Sequence, residues 1–263
     1  MERIGLLAGA GTLPLEFKAS ARKKGKEVIV IGVEGITDFK ADYMIPLGRV
    51  GKLLKILQKE GIRKIVMLGK FEHSLIYRDF LKMDLTAFNL LRKAKDRRPQ
   101  TLIKIFMNFL EEKGFEFIDP RPYLSHILAN RGSINGLFPN EELLENGIWG
   151  FRIAKELASM DIGQTIVVKD KAVVAVEAME GTQETIKRGG KLAGKKTVVI
   201  KVARKNQDFR IDVPTVGPKT LEVMKEVGSS ALFLEAGKVF ITEKEEFINK
   251  SREYRIPVFG LPP

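Results

Sequence analysis

Two carboxylates set among cations mark residues 204–220 as a place where chemistry could occur. Asp208 and Asp212 stand four residues apart, and a Pro-Thr-Val-Gly-Pro run from Pro214 restricts the backbone after them. The basic residues of the stretch are Arg204, Lys205, Arg210 and Lys219. Carboxylates suit a metal ion, and a basic turn before a helix suits a phosphate. The alternative is an exposed loop with surface ion pairs, and this stretch alone does not decide between them.

A second pair of acids, Glu177 and Glu180, follows an apolar strand. A carboxylate at the end of such a strand costs free energy unless it is paired or bound to a metal. Glu180 lies in the turn before a helix that starts at Thr182, and acids are favourable near a helix N-terminus. The pair is therefore either a set of metal ligands or an exposed strand end followed by a helix-terminal acid.

Composition limits the chemistry that these acids could support. The 263 residues include 45 Lys and Arg against 33 Asp and Glu, a net charge of +12, which favours an anionic partner. A Lys/Glu-rich surface of the thermophilic kind explains the charge equally well. Cysteine is absent and only His73 and His126 are present, so carboxylates would hold any metal, which favours Mg²⁺ or Mn²⁺ over zinc.

The compartment that we expect is the cytoplasm. No apolar run approaches the ~20 residues that span a bilayer. Residues 1–3 lead straight into a strand, so we expect no signal peptide. The lack of cysteine also fits a reducing compartment.

The elements of the first half alternate between strands and helices. Apolar runs predict strands at 3–9, 27–32, 64–69 and 115–118, and periodic stretches predict helices at 15–24, 49–60, 78–95 and 100–113. This order predicts a Rossmann-like α/β domain with a parallel sheet. Gly9 and Gly11 between the first strand and helix could let a phosphate approach the backbone. The dinucleotide fingerprint is incomplete, because Pro14 replaces its third glycine, although Glu34 ends the next strand.

The second half reads as a separate α/β domain with a mixed sheet. A Pro- and Gly-containing connection at 120–140 predicts domains at 1–130 and 131–263. Further helices are predicted at 141–157, from Thr182, and at 218–227, where Pro218 suits the first turn. Thr242 and Glu245 are typical of a capping box at the last helix. The predicted strands are 165–168 and 172–178, which form a hairpin, then 196–202, 231–235 and 239–241.

Four motifs of the chain resemble one known family in matching order. They are Ala8-Gly9-Ala10-Gly11-Thr12-Leu13-Pro14, Asp161-Ile162-Gly163-Gln164, Val176-Glu177-Ala178-Met179-Glu180-Gly181-Thr182 and Gln207-Asp208-Phe209-Arg210-Ile211-Asp212-Val213-Pro214-Thr215-Val216-Gly217. The family is the LpxI-type UDP-2,3-diacylglucosamine pyrophosphatases of lipid A biosynthesis. The resemblance implies two α/β domains with the active site at or near the cleft between them. It also implies Mg²⁺-dependent hydrolysis that yields UMP and 2,3-diacylglucosamine 1-phosphate.

The resemblance also implies roles for the acids and their neighbours. Asp208, Asp212, Glu177 and Glu180 would hold Mg²⁺, for which Mn²⁺ or Co²⁺ could substitute, and Asp208 or Asp212 would activate the attacking water. The expected substrate-binding residues are Gly9, Ala10, Gly11, Thr12, Gln164, Gly181, Thr182, Lys187, Arg188, Gln207, Arg210 and Thr215. One departure is Asp96-Arg97-Arg98-Pro99-Gln100, which stands where the family commonly has an acidic pair.

Partners follow from the same resemblance and from the charge. UDP-2,3-diacylglucosamine is the expected substrate, with peripheral contact to the cytoplasmic face of an inner membrane and a homodimer as further expectations. Two alternatives stay open. A nicotinamide-dependent oxidoreductase would use Gly9, Gly11 and Glu34, and a nucleic-acid-binding protein would use the basic surface. Between residues 183 and 219 the only aromatic residue is Phe209, so we expect no nucleic-acid partner.

Overall fold

The computed structural model describes residues 1–71, 83–96 and 99–263. The chain divides by its internal contacts into two compact units. The first unit consists of Met1–Leu124 with Phe209–Asp212, and the second consists of Ser125–Asp208 with Val213–Pro263. The domain boundary expected after residue 130 stays a prediction.

A five-stranded parallel sheet forms the centre of the first unit, in the order β3-β2-β1-β4-β5. Its interior strands are buried on both faces, which explains their continuous apolar sequences. The strands are β1 (Arg3–Ala8), β2 (Glu27–Val33), β3 (Tyr43–Ile45), β4 (Lys64–Leu68) and β5 (Glu116–Phe117). The helices are α1 (Leu13–Lys23), α2 (Val50–Lys59), α3 (Leu85–Arg92), α4 (Pro99–Glu112) and α5 (Arg121–Leu124).

The helix expected at 78–95 is present in its second part as α3, where the Asp84 side chain accepts a hydrogen bond from the Ala87 amide. The first part of this predicted helix lies outside the described residues, and so does His73. Arg97 and Arg98, which stand where the family commonly has an acidic pair, also lie outside them.

A six-stranded mixed sheet forms the centre of the second unit, in the order β6-β13-β11-β9-β7-β8. The strands β13, β11 and β9 are parallel, whereas β6, β7 and β8 are joined by antiparallel pairing. The sheet strands are β6 (Gly132–Ser133), β7 (Thr165–Lys169), β8 (Ala172–Val176), β9 (Val198–Lys201), β11 (Ala231–Glu235) and β13 (Val258–Leu261). The helices are α6 (Glu141–Ser159), α7 (Thr182–Ala193), α8 (Pro218–Val227) and α9 (Lys244–Glu253), and β10 (Thr215–Val216) pairs with β12 (Phe240–Ile241).

Both faces of this second sheet are covered by apolar packing. Val199 and Leu232 belong to one buried cluster, and their chain neighbours Ile200 and Phe233 belong to another. Because successive strand residues point to opposite faces, the two clusters are the two sides of the sheet. The prediction of two α/β domains, one with a parallel sheet and one with a mixed sheet, is confirmed.

The capping-box prediction at the last helix is wrong. α9 begins at Lys244 with Glu243 as its N-cap residue. Thr242 instead bonds to Val216, whose carbonyl accepts from the Thr242 amide at 2.9 Å and from its hydroxyl at 3.3 Å. In the described part of the chain, no helix is both long and apolar enough to cross a membrane.

Candidate active site

Antiparallel pairing brings three strand ends of the second unit to one edge of its sheet. β7 begins at Thr165, which pairs with Lys201 at the end of β9. β8 ends at Val176 beside Ile166, and the Glu177 amide then donates to the Thr165 carbonyl at 2.8 Å. The register of the sheet therefore places Thr165, Glu177 and Lys201 side by side.

Glu177 is a largely buried acid that pairs with a lysine. Its side chain is 12% exposed, and its Oε2 lies 3.7 Å from the Nζ of Lys201, whose side chain is 7% exposed. Thr182 donates its hydroxyl to Glu177 Oε1 at 2.8 Å and accepts a hydrogen bond of 2.6 Å from Lys201 Nζ. The alternative of an exposed strand end is therefore wrong, and the acid is stabilised by a lysine that sequence reasoning missed.

These contacts favour the ionised form of Glu177. Burial acts to raise the pKa of Glu177, but the charge of Lys201 acts in the opposite direction. The hydrogen bond from the Thr182 hydroxyl also favours the carboxylate, as do the neighbouring Thr165 hydroxyl and Gln164 backbone. The net effect holds the pKa of Glu177 below its ordinary value, so the side chain is an anion at neutral pH.

The 161–164 motif is packed against this acid. A Cβ atom on Gly163 would lie 1.9 Å from the Glu177 carbonyl oxygen, so only glycine allows this approach. The Gln164 carbonyl accepts from the Val202 amide at 2.9 Å, just after Lys201. Asp161 Oδ1 accepts from Arg204 Nε at 2.5 Å. The motif thus connects the Glu177 turn to the start of the loop that carries Asp208.

Glu180 is paired on the other side of the same turn. Arg188 of α7 donates to the Glu180 carboxylate and also to the Val176 carbonyl, the latter at 2.8 Å. The Arg188 hydrogen bond is the largest of the effects that hold the pKa of Glu180 below its ordinary value. Gly181, with φ of +80°, precedes the first residue of α7 and has open space where a Cβ would lie. Lys187 bonds instead to Glu184 at 2.9 Å on the solvent face of the helix.

The loop that follows β9 has residues in both units, and side-chain contacts hold each part within its unit. The Gln207 side chain accepts from the Arg204 amide at 3.1 Å, and the Thr215 hydroxyl donates to the Val213 carbonyl at 2.7 Å. Residues 209–212 belong to the first unit, where Phe209 lies under the guanidinium of Arg121 at 4.0 Å from its ring centroid. Arg210 there approaches Glu111 at 3.4 Å.

The amides of the N-terminal glycine turn are engaged within the first unit. Gly9 donates to the Leu68 carbonyl at 2.8 Å, and Ala10 donates to the Lys70 carbonyl at 3.0 Å. The Gly11 amide donates to Asp38 at 3.1 Å, and Thr12 is the N-cap residue of α1. A phosphate could use the Gly11 amide only if it displaced the Asp38 carboxylate, so phosphate binding at this turn stays a prediction.

No three acidic or histidine side chains come close enough together to hold a metal ion within residues 1–71, 83–96 and 99–263. A single ion held by all four of Asp208, Asp212, Glu177 and Glu180 therefore stays a prediction. A smaller donor set fits Mg²⁺, because this ion usually keeps several waters and binds one or two carboxylates together with substrate phosphates.

Comparison with known proteins identifies both halves of the chain. A model of the LpxI N-terminal domain matches residues 3–127, and a model of the LpxI C-terminal domain matches residues 130–259. The chain is 26% identical over 280 residues to the UDP-2,3-diacylglucosamine pyrophosphatase LpxI of Caulobacter vibrioides, with 100% of this chain and 99% of that protein covered. Among solved structures, a GalE-like L-threonine dehydrogenase from Cupriavidus necator aligns with a TM-score of 0.32 at 10% identity, over 99% of this chain and 86% of that one.

Proposed function

The chain belongs to the LpxI family, and we propose that it hydrolyses the diphosphate of UDP-2,3-diacylglucosamine in lipid A biosynthesis. The products would be UMP and 2,3-diacylglucosamine 1-phosphate. The family assignment favours a hydrolase over the two alternatives raised by the sequence, an oxidoreductase and a nucleic-acid-binding protein. It is also consistent with a cytoplasmic location, which we propose together with a homodimeric state.

The observation that carries this proposal is the junction, in the second unit, of two of the C-terminal motifs with the start of the loop that carries the third. Arg204 bonds to Asp161, the Gln164 carbonyl accepts from Val202, and Thr182 bonds to Glu177. Hydrogen bonds of this kind fix the starting point of the loop that carries Asp208. Fixed acids and cations are what a diphosphate hydrolase needs, because its substrate is a polyanion that repels hydroxide.

We propose that Asp208 and Asp212 hold Mg²⁺ together with the diphosphate of the substrate. Bound there, the ion would neutralise phosphate charge and lower the pKa of a coordinated water. Mn²⁺ or Co²⁺ would substitute, because both accept oxygen ligands. Glu177 and Glu180 already pair with Lys201 and Arg188, so they would join the ion only if those pairs opened.

The hydrolysis itself breaks one P–O bond and forms another. The oxygen of water bonds to one phosphorus, and the bridging oxygen leaves with the other phosphorus as a phosphate. Asp208 or Asp212 would orient the water and take its proton. Arg188, Lys187 and Arg210 would offset charge on the phosphates as the bridging oxygen leaves. The turn at 9–12 and the turn at 181–182 would orient the nucleotide and sugar, together with Gln164 and Gln207.

We further propose that α3 contacts an anionic membrane surface, where a diacylated substrate resides. Leu85 is 81% exposed and Phe88 is 51% exposed on this helix, and the exposed Arg92 and Lys93 follow them. Apolar side chains beside cations suit the interface of an acidic bilayer. Co-sedimentation with anionic and neutral vesicles tests this, with L85S/F88S as the variant. L192S, on a residue that is 66% exposed on α7, is the matched control.

The decisive test is direct incubation with UDP-2,3-diacylglucosamine in ¹⁸O-labelled water, with and without Mg²⁺. We expect UMP in the presence of Mg²⁺, and the product that carries the label identifies the phosphorus that water attacks. UDP-N-acetylglucosamine, which has the same diphosphate but no fatty acyl chains, is the matched substrate control. A folded protein that releases no UMP with Mg²⁺, Mn²⁺ or Co²⁺ would exclude the proposed reaction.

A further inference from the structure

Glu235 is a carboxylate buried at the end of β11 that the proposed mechanism does not use. Its side chain is 0% exposed, yet two cations reach it: Lys155 of α6 bonds to both of its oxygens at 2.9 Å, and Lys238 bonds to Oε1 at 2.9 Å. Its Oε2 also accepts from the Ala203 amide at 2.8 Å. The acid thus has three hydrogen bonds from Lys155 and Ala203, and a second ion pair with Lys238.

Ala203 is bound on both of its main-chain polar groups by this one ion pair. Glu235 accepts from its amide, and Lys155 Nζ donates to its carbonyl at 2.8 Å. Ala203 is fully buried, lies two residues beyond the end of β9 and precedes Asp208 by five residues. The Lys155–Glu235 pair therefore acts where the chain leaves the sheet and enters the loop that carries the proposed catalytic acids.

An ion pair with a fully buried carboxylate and a lysine that is 21% exposed is an expensive way to fill this space. Desolvation of two charges can cancel their attraction, and well-packed apolar residues of the same volume are often equally or more stabilising. The pair offers instead a directional hold on the two peptide groups that flank one residue, because hydrogen bonds to ionised groups are short and strong. The geometry of the pair is thus better explained by a role in holding Ala203 in place than by a role in stabilising the fold.

We propose that Lys155 and Glu235 are positioning residues for hydrolysis, which fix the start of the 204–217 loop and thereby the place of Asp208. This inference rests on the proposed function. The pair does not touch the substrate in this role; it acts through Ala203. A small displacement of a catalytic group can lower turnover by about 10²-fold while substrate binding changes little.

The test separates positioning from stability with an apolar double variant, K155M/E235L. It removes both charges together, so the buried carboxylate is not left without Lys155, but the buried amide and carbonyl of Ala203 lose their partners. We therefore expect a lower melting temperature than that of the parent, and kcat is measured well below it, where the variant is folded. We expect its kcat to fall at least about 10-fold with KM changed less than about 3-fold. K155R, which keeps the charge and the donors, should retain most of the parent kcat.

K238M is the matched control, because Lys238 pairs with Oε1 of Glu235, whereas the contacts with Ala203 are made by Oε2 of Glu235 and by Lys155. Its kcat should stay within about 2-fold of the parent value. Parent-like kcat in a folded K155M/E235L protein would overturn the proposal, and so would an equal loss in K238M.

Hydrogen exchange supplies a readout that does not need activity. We expect faster amide exchange across residues 203–208 in K155M/E235L and parent-like exchange in K238M. Unchanged exchange in the double variant would refute the proposal that the pair holds Ala203 in place, whatever the kcat of the variant. If the parent protein failed to hydrolyse UDP-2,3-diacylglucosamine but exchange rose as expected, the hold would stand and the proposed function would be the part that failed.

Discussion

Replacement of Lys201 by Met should destabilise the protein strongly at neutral pH. Met keeps the length of the side chain but removes the ammonium that faces Glu177 Oε2 at 3.7 Å. Breaking a buried ion pair by removal of one partner costs about 3–5 kcal/mol. We expect a cost of about 3 kcal/mol, at the low end, because Glu177 keeps its hydrogen bond from Thr182. For a chain of this size, that corresponds to a melting temperature lowered by about 6–12 °C.

The pH dependence of this loss tests its cause. In the parent protein the pKa of Glu177 lies below its ordinary value, so the ion pair stabilises the fold above the ordinary glutamate pKa. That stability is lost as the pH falls through the lowered pKa of the folded state. Without Lys201, burial raises the pKa of Glu177, and the neutral acid forms more readily. The difference in melting temperature between the parent and K201M should therefore narrow as the pH falls.

Thermal unfolding followed by circular dichroism at about pH 7 and about pH 4.5 measures both effects. K187M is the matched control, because Lys187 pairs with Glu184 on an exposed helix surface and such pairs contribute little. E177Q/K201M, which also removes the stranded carboxylate, should recover part of the lost stability. A K201M protein that melts within about 1 °C of the parent at about pH 7, or a difference that widens in acid, would refute the reasoning.

Three further outcomes follow from the site. Asp212→Ala should lower turnover at least about 10³-fold without unfolding the protein, while Glu184→Ala keeps parent activity; near-normal turnover would remove Asp212 from the mechanism. Gly163→Ala should lower the unfolding free energy by about 1–3 kcal/mol, seen in urea titration, because its Cβ would meet the Glu177 carbonyl; an unchanged midpoint would contradict this close contact. Dialysis against EDTA should abolish UMP release, and Mg²⁺ should restore it; full activity after dialysis would count against a required metal.

The strands and helices that were predictable from sequence are those with strong local patterns. β1, β2 and β4 are apolar runs because parallel interior strands are buried on both faces, and the structure has them within a residue or two of their predicted limits. β6 and β10 have two residues each, too few for any periodic signal. β6 exists only because Ser133 pairs with Phe259, more than a hundred residues away.

In the site, too, features that depend on neighbouring residues were predictable from sequence, and contacts between distant residues were not. Glu177 could be singled out because a carboxylate at the end of an apolar strand needs a partner. Lys201 ends the apolar run Val198–Lys201 and carried the same signal, but its pairing with Glu177 depends on the register of β7 with β9. The error at Thr242 has a similar cause, because a distant carbonyl on Val216 competes for the hydroxyl that a capping box would use.

The strand order of the second sheet has a consequence for biosynthesis. All five strands of the first sheet lie within residues 3–117, so this sheet can form early while the ribosome is still adding residues. In the second sheet the last strand to be made, β13, is an interior strand between β6 and β11. A nascent chain that ends before Val258 leaves one edge of β11 open, with its five buried residues unshielded. Such an edge can pair with other chains, so the interval before β13 is added is the one in which a chaperone would protect the protein from aggregation.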